Sequence, residues 1–577
     1  MIFESGGSPQ QRLGPPVRGE KMKVRIPVMV QDRWTAMQKG LPPTEEVTVE
    51  EDFFLDGPVT RRVAVLDFDP KTGALLPGSR FLPPAKTAQP GRYDLSLDFA
   101  DSRFNQVSVL GAVLQTIHMF EEKDTLGRRV TWAFGAPQLL VIPRAGEWAN
   151  AFYERSSHSL QFFFFDSLSD PGLKVFTNLS HDILSHETGH AVLDGIAPDL
   201  YDAASPQSLA LHEAIADLTA LVMSFRSGTL RKGVLDQTGG SIEASNAFSS
   251  IAAEFGADLD PKGHAGYLRN LLNEKTLDQV DNLEPHELSE VLTGGLYMVM
   301  MWLHNTWKQR FANESGKSDF SVSGKALAVA AEQFKRMTFR ALDYLPPGEV
   351  SFADYARAII AADQASHPDD EDVRQQIRTE FVKRGIVQST TELEVGRDFS
   401  ALDQKVRDED LDTLAHADYA AYRFVEANRQ ALGVPAGIPF DVRPRLVATK
   451  VYRHHEGEKE VTELILKVAW SSEILSGLEQ PLPTNLEVTV GSTLAIDWST
   501  KRVRALLTAM YDDRQREAAK GLLRRIVDDG LLRIGEQAKG PDGHLIRSYV
   551  FGESTRDVMR LRGTANSFFI LRRDDLG

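Results

Sequence analysis

Residues 182–194 read DILSHETGHAVLD, and residues 208–218 read SLALHEAIADL. Both runs space their apolar residues at helical intervals, so helices are expected over Ile183 to Asp194 and over Ser208 to Phe225. Residues four apart share a helix face, which lets His186 and His190 aim their imidazoles at one point. Glu187 lies beside that face and can reach a group held there without being a ligand to it. In the second run Glu213 and Asp217 are again one turn apart. Two histidines and a carboxylate make the donor set of an open zinc site, with the fourth position left to water. A histidine ligand also needs an acceptor behind it to fix its tautomer, and Asp217 fits that need. Ordinary salt-bridged helices would explain each run separately, but not why one follows the other at a workable distance.

The composition narrows the alternatives. At 577 residues the chain calls for two to four structural units, and 42% apolar with 25% charged residues is the balance of a soluble globular protein. There is no cysteine, which excludes disulfides, thiolate metal sites and cysteine nucleophiles. A formal net charge of -16 argues against a sequence-independent grip on nucleic acid, so no nucleic-acid partner is expected. Near the N-terminus the longest apolar run, Ile26 to Val30, is too short for a signal-peptide core. No stretch approaches the roughly 18 apolar residues of a membrane helix. A cytoplasmic protein without a membrane partner is the expectation.

Working outward, the first 35 residues read as a loose arm ending in the strand MKVRIPVMV, and residues 45–80 as strands joined by turns, with Pro70 to Gly73 a hairpin tip. Phe104 to Glu122 has helical spacing, and QFFFFD at 161–166 reads as one buried strand. Further helices are expected over His286 to Trp307, Gly324 to Leu342 and Phe352 to Ala365. Beyond Ile386 the character changes: a charged stretch from Glu394 to Asp412 has the composition of a junction, and strands and a helix follow it. The division expected is 1–100, an N-terminal arm and β-rich region; 101–386, the core bearing the motifs; and 387–577, an additional α+β domain for interaction or regulation.

HETGH followed by HEAIAD resembles the HExxH plus ExxxD signature of the thermolysin-like zinc metallopeptidases, the gluzincins. The likeness extends over about 100–386. It implies an α+β fold of two subdomains, β-rich first and helical second, with zinc in the cleft between them. It assigns His186, His190 and Glu213 as zinc ligands, Asp217 as the residue behind a ligand, and Glu187 as general base. In DNLEPHELS, residues 281–289, it implies that Asp281 orients His286 toward the developing oxyanion, with Tyr201 helping. It gives Asn150 and Ala151 the role of holding an extended substrate on an edge strand, and Arg269 that of contacting the substrate carbonyl beside the scissile bond. Ile183 and Leu268 resemble the lining of a pocket for a bulky apolar residue after that bond.

Departures from the pattern are plain as well. His212 stands where the family has Asn, and Ser224 where a calcium-ligating Glu is expected, although Asp182 matches one calcium ligand. The implied activity is zinc-dependent cleavage of internal peptide bonds in a peptide or protein substrate. The competing readings are a scaffold that keeps its metal for structure and binds a partner through its C-terminal part, and an aminopeptidase of the same metal class. The second is disfavoured because no Gly-x-Met-Glu-Asn segment is present to hold a free amine. His158, His181, His264, His304 and the pair His454-His455 have no partner motif and read as ordinary histidines.

Overall fold

A computed structural model describes residues 21–561, apart from 70, 85–88, 169–171, 260–266, 282, 368–370, 397, 455–456, 479–484, 529–533, 540–544, 550–551 and 556–557. The two motif runs form helices His181–Ile196 and Pro206–Arg226, which pack side by side at the centre. They pack tightly at Gly189, where a Cβ would lie 3.0 Å from Thr219 Oγ1 and 3.1 Å from Ala216 Cα. Pro206 opens the second helix at a position where its missing N–H is no loss. The buried carboxylate of Glu349 caps the entry instead, accepting from Ala204 N at 2.7 Å and Ser205 N at 3.1 Å. Pro206–Arg226 is long and apolar enough to cross a membrane by composition, with a mean hydropathy of 1.3, but its apolar window is wholly buried inside the fold.

Helix Ser102–Glu121 packs on the first motif helix and on strand Met22–Met29, while Pro285–Ser315 packs on the second. Asp319–Tyr344, Phe352–Ser366 and Asp372–Lys383 complete the helical layer. Each helix expected from periodicity is present, one to several residues longer. The β-rich first part holds a four-stranded sheet ordered Val63–Val65, Leu139–Ile142, Ser159–Phe162, Ala151–Glu154. Its last strand runs antiparallel to its neighbour and forms an edge. QFFFFD is split rather than continuous: Ser159–Phe162 and Phe164–Asp166 belong to different sheets. Gly73 N bonds Asp69 O at 2.8 Å in the expected turn, although Pro70 lies outside the described residues, as do His264 and His455.

The chain is therefore α+β. Its C-terminal part is a nine-stranded sheet built around Gly457–Ser476 and Asn485–Asp497, with helix Asp513–Asp528. The charged stretch before it is not a loose junction: it forms helices Ser400–Arg407 and Leu411–His416, which bury Leu402, Val406, Leu411 and Leu414. The sheet is joined to the preceding helices by buried charge. Lys450 Nζ lies 3.0 Å from Asp343 and 3.3 Å from Glu463, and all three side chains are 0% exposed. Arg128 closes on Asp343 at 2.6 Å, and Tyr344 donates to Glu463 at 2.9 Å. One apolar core runs through both parts, from Val24 to Leu523.

Candidate metal centre

Helical periodicity places His186 and His190 on one face of the first motif helix, and the second helix brings Glu213 against them. The ligand-type atoms of the three residues lie within 4.8 Å of one another, in a buried position. The two Nε2 atoms face each other at 3.0 Å. His186 Nε2 lies 3.5 Å from Glu213 Oε2, and His190 Nε2 lies 3.6 Å from Oε1. Both Glu213 oxygens are buried, and their nearest polar neighbours are imidazole nitrogens at 3.5 to 3.6 Å, beyond close hydrogen-bond distance. A buried carboxylate left this way costs free energy unless a cation meets it.

The outer nitrogens of both rings are engaged. His186 Nδ1 is 2.9 Å from Asp217 Oδ1. Arg269 holds Asp217 in turn with two bonds, at 2.9 and 2.8 Å, and is itself buried. His190 Nδ1 is 2.7 Å from His212 Nδ1. With both rings protonated on their outer nitrogens, the two inner ones would present converging lone pairs. Such a pair repels unless a proton or a cation lies between, and zinc bonds to nitrogen of about 2.0–2.1 Å suit their spacing. The donor set thus fits a metal ion. The charges agree: burial alone would lower His186, but Asp217 and Glu213 outweigh it and raise its affinity for positive charge. Asp217 is held down to about 2, because Arg269 and His186 overcome the effect of its burial.

Glu187 is 2% exposed, and its Oε2 has no hydrogen-bond partner among the described residues. Burial pushes its carboxyl up to about 7, with His186 pulling it down and Glu213 pushing it up. The Tyr153 backbone N–H, on the edge strand, donates to it. His286 joins the same cluster, with its Nε2 3.5 Å from Glu213 Oε1. Burial would lower its pKa, yet Glu213 and Glu284 prevail and hold it above the ordinary value.

The residue that orients His286 is Glu284, whose Oε1 lies 3.0 Å from His286 Nδ1. The expected Asp281 does not do so: it pairs with Arg525 of helix Asp513–Asp528 and accepts the Leu283 N–H. The cause is local. Pro285 starts the helix, so Glu284 is its N-cap and folds back onto the N–H groups of His286 and Glu287, which brings it to the ring. A glutamate just before a helix-opening proline was the signal for this in the sequence.

Tyr201 stands on the His212 side of the site. Its ring lies under Arg155 at 4.1 Å and 6.1 Å from His212, and its hydroxyl accepts the Arg155 N–H at 3.4 Å. None of these contacts is to His286. Arg155 is pinned by Asp194 and Asp202, and Asp194 also accepts from Tyr153 at 2.6 Å. Asn150 is buried at the start of the edge strand, where its Oδ1 accepts the Ala151 N–H at 2.8 Å. Arg155 and Asp194 were given no role by sequence reasoning, because their positions follow from packing between elements rather than from spacing within one. A search of known protein families and of curated proteins finds no match for this chain.

Proposed function

We propose that the chain is a zinc-dependent endopeptidase of thermolysin-like type, hydrolysing internal bonds of an extended peptide laid along the edge strand Ala151–Glu154. The observation that carries the reading is the convergence of two histidine nitrogens on a buried Glu213 carboxylate beside a second buried carboxylate, Glu187, poised near neutrality. His186, His190 and Glu213 would hold the ion. Zinc bound by three such ligands supplies an acidified water and a Lewis acid for the scissile carbonyl.

The chain's own residues supply the rest. Glu187, near pH 7 in its titration and free at Oε2, takes a proton from the attacking water and returns it to the departing amine. His286, kept positively inclined by Glu213 and Glu284, donates toward the carbonyl oxygen as it becomes negative. Glu284 fixes the ring for that donation. Strand Ala151–Glu154 is the edge along which an extended peptide would lie, and the Ala151 and Tyr153 N–H groups are engaged there by Asn150 and Glu187. Attack by water predicts no acyl-enzyme.

Peptide-library digestion by the full chain, before and after chelation and after zinc is restored, tests the reading. Cleavage at internal bonds that stops with the chelator and returns with zinc supports it. Cleavage indifferent to the chelator, or confined to the N-terminal residue, overturns it.

A further inference from the structure

Arg155 is the first residue after the edge strand Ala151–Glu154, and it takes no part in the proposed chemistry. Its guanidinium nevertheless ties the end of that strand to two other segments. Nε lies 3.1 and 2.9 Å from the two oxygens of Asp194, and Nη2 donates to the same carboxylate. Nη1 donates to Asp202 at 2.6 Å, and Nη2 to the Pro198 carbonyl at 2.7 Å. The Tyr201 ring lies under the same group at 4.1 Å, and the Arg155 backbone N–H donates to the Tyr201 hydroxyl at 3.4 Å. Asp194 is fully buried and belongs to the first motif helix, one turn beyond His190. Pro198, Tyr201 and Asp202 belong to the turn that follows this helix. Within the strand, the Tyr153 hydroxyl also donates to Asp194, at 2.6 Å, while the Tyr153 backbone N–H donates to Glu187. The seating of the strand and the place of Glu187 are therefore linked.

We propose that Arg155 is a positioning residue that fixes the height of the edge strand over the motif helix, and so sets an extended peptide on that strand against Glu187 and the metal ligands. The inference rests on the peptidase reading. A buried Asp194 needs a positive partner, and charge alone would meet that need. The further bonds to Asp202 and Pro198 add little to this neutralisation. They fix direction, because the guanidinium is planar and its donors point along set lines, whereas a lysine ammonium carries the charge without the fork. A displacement of about 1 Å at the reacting bond can cost about 100-fold in rate. A substrate that spans only the cleaved bond is placed by the groups around the ion, whereas a longer one depends on the strand as well.

The test compares the full chain, zinc-loaded, as wild type and as Arg155→Lys. The substrates are a blocked dipeptide and a longer peptide with the same cleavable bond that can lie along the whole strand. The advantage of the longer substrate, taken as the ratio of the two kcat/KM values, should fall by about 10–100-fold in Arg155→Lys. Asp202→Asn leaves Arg155 on Asp194 and should lower the ratio by about 2–5-fold, which decides the matter if Arg155→Lys does not fold. A purely structural role would reduce the active fraction and move both substrates equally. An unchanged ratio in the folded variants therefore overturns the proposal alone. A zinc-loaded wild type that cleaves neither substrate overturns the peptidase reading and this inference with it.

Discussion

At the scale of single residues, the candidate ligand set was legible because it depends on spacing within helices. His186 and His190 are four apart, as are Glu213 and Asp217, and helix geometry alone aligns each pair. The orienting partner of His286 was not legible in the same way, because Asp281 and Glu284 both precede it and only the start of the helix decides between them. The difference is testable. His286→Ala should lower kcat by about 10²–10³-fold with little change in KM. Glu284→Ala should act in the same direction, by about 10–100-fold, while Asp281→Ala leaves kcat near wild type. Steady-state kinetics on one peptide separates these outcomes, and an Asp281→Ala loss as large as that of Glu284→Ala would restore Asp281 as the partner.

At the scale of elements, helices were read well because a 3.6-residue period persists over many turns. QFFFFD was misread because a short apolar run does not show where one sheet ends and another begins. The stretch from Glu394 to Asp412 was misread because charged residues outnumber the few apolar ones, such as Leu402 and Val406, that anchor its helices in the core. The contact between the motif helices gives a prediction of its own. With Cβ space of only 3.0 Å at Gly189, Gly189→Val should push the helices apart, destabilise the fold by about 1–3 kcal/mol and weaken metal binding. Thermal melts and metal titration check it.

A second prediction at this scale concerns helix Arg33–Lys39, whose N-cap Asp32 accepts from Thr35 N and Thr35 Oγ1. Burial, then the neighbouring Asp182 and Glu254, raises its carboxyl from 3.8 to about 8. Because the folded value exceeds the unfolded one, folding takes up a proton between these limits. The stabilisation is full below about pH 4 and is lost as pH rises through about 8. Asp32→Asn keeps the cap and removes the titration, so its stability should fall less than that of wild type between pH 4 and 8 in denaturant melts.

At the scale of the whole molecule, composition suggested a separate C-terminal domain joined through the charged stretch from Glu394 to Asp412. The burial of Lys450 and Glu463 against Asp343 and Tyr344 argues otherwise. Truncation would expose apolar faces of Asp319–Tyr344 and Phe352–Ser366 and strand buried charge, a loss of about 3–5 kcal/mol for each broken pair. The truncated chain should therefore aggregate, and a soluble, cooperatively melting fragment would show that the sheet is dispensable. Sequence could not reveal this, since charged residues such as Lys450 and Asp343 read as surface until their partners are seen. The central claim is tested most directly on the full chain, by measuring bound zinc and peptide cleavage together in wild type and Glu187→Gln. The account predicts one zinc in each protein and cleavage lowered by about 10²–10⁴-fold in the variant. No zinc in wild type, or equal cleavage by the two, would contradict it.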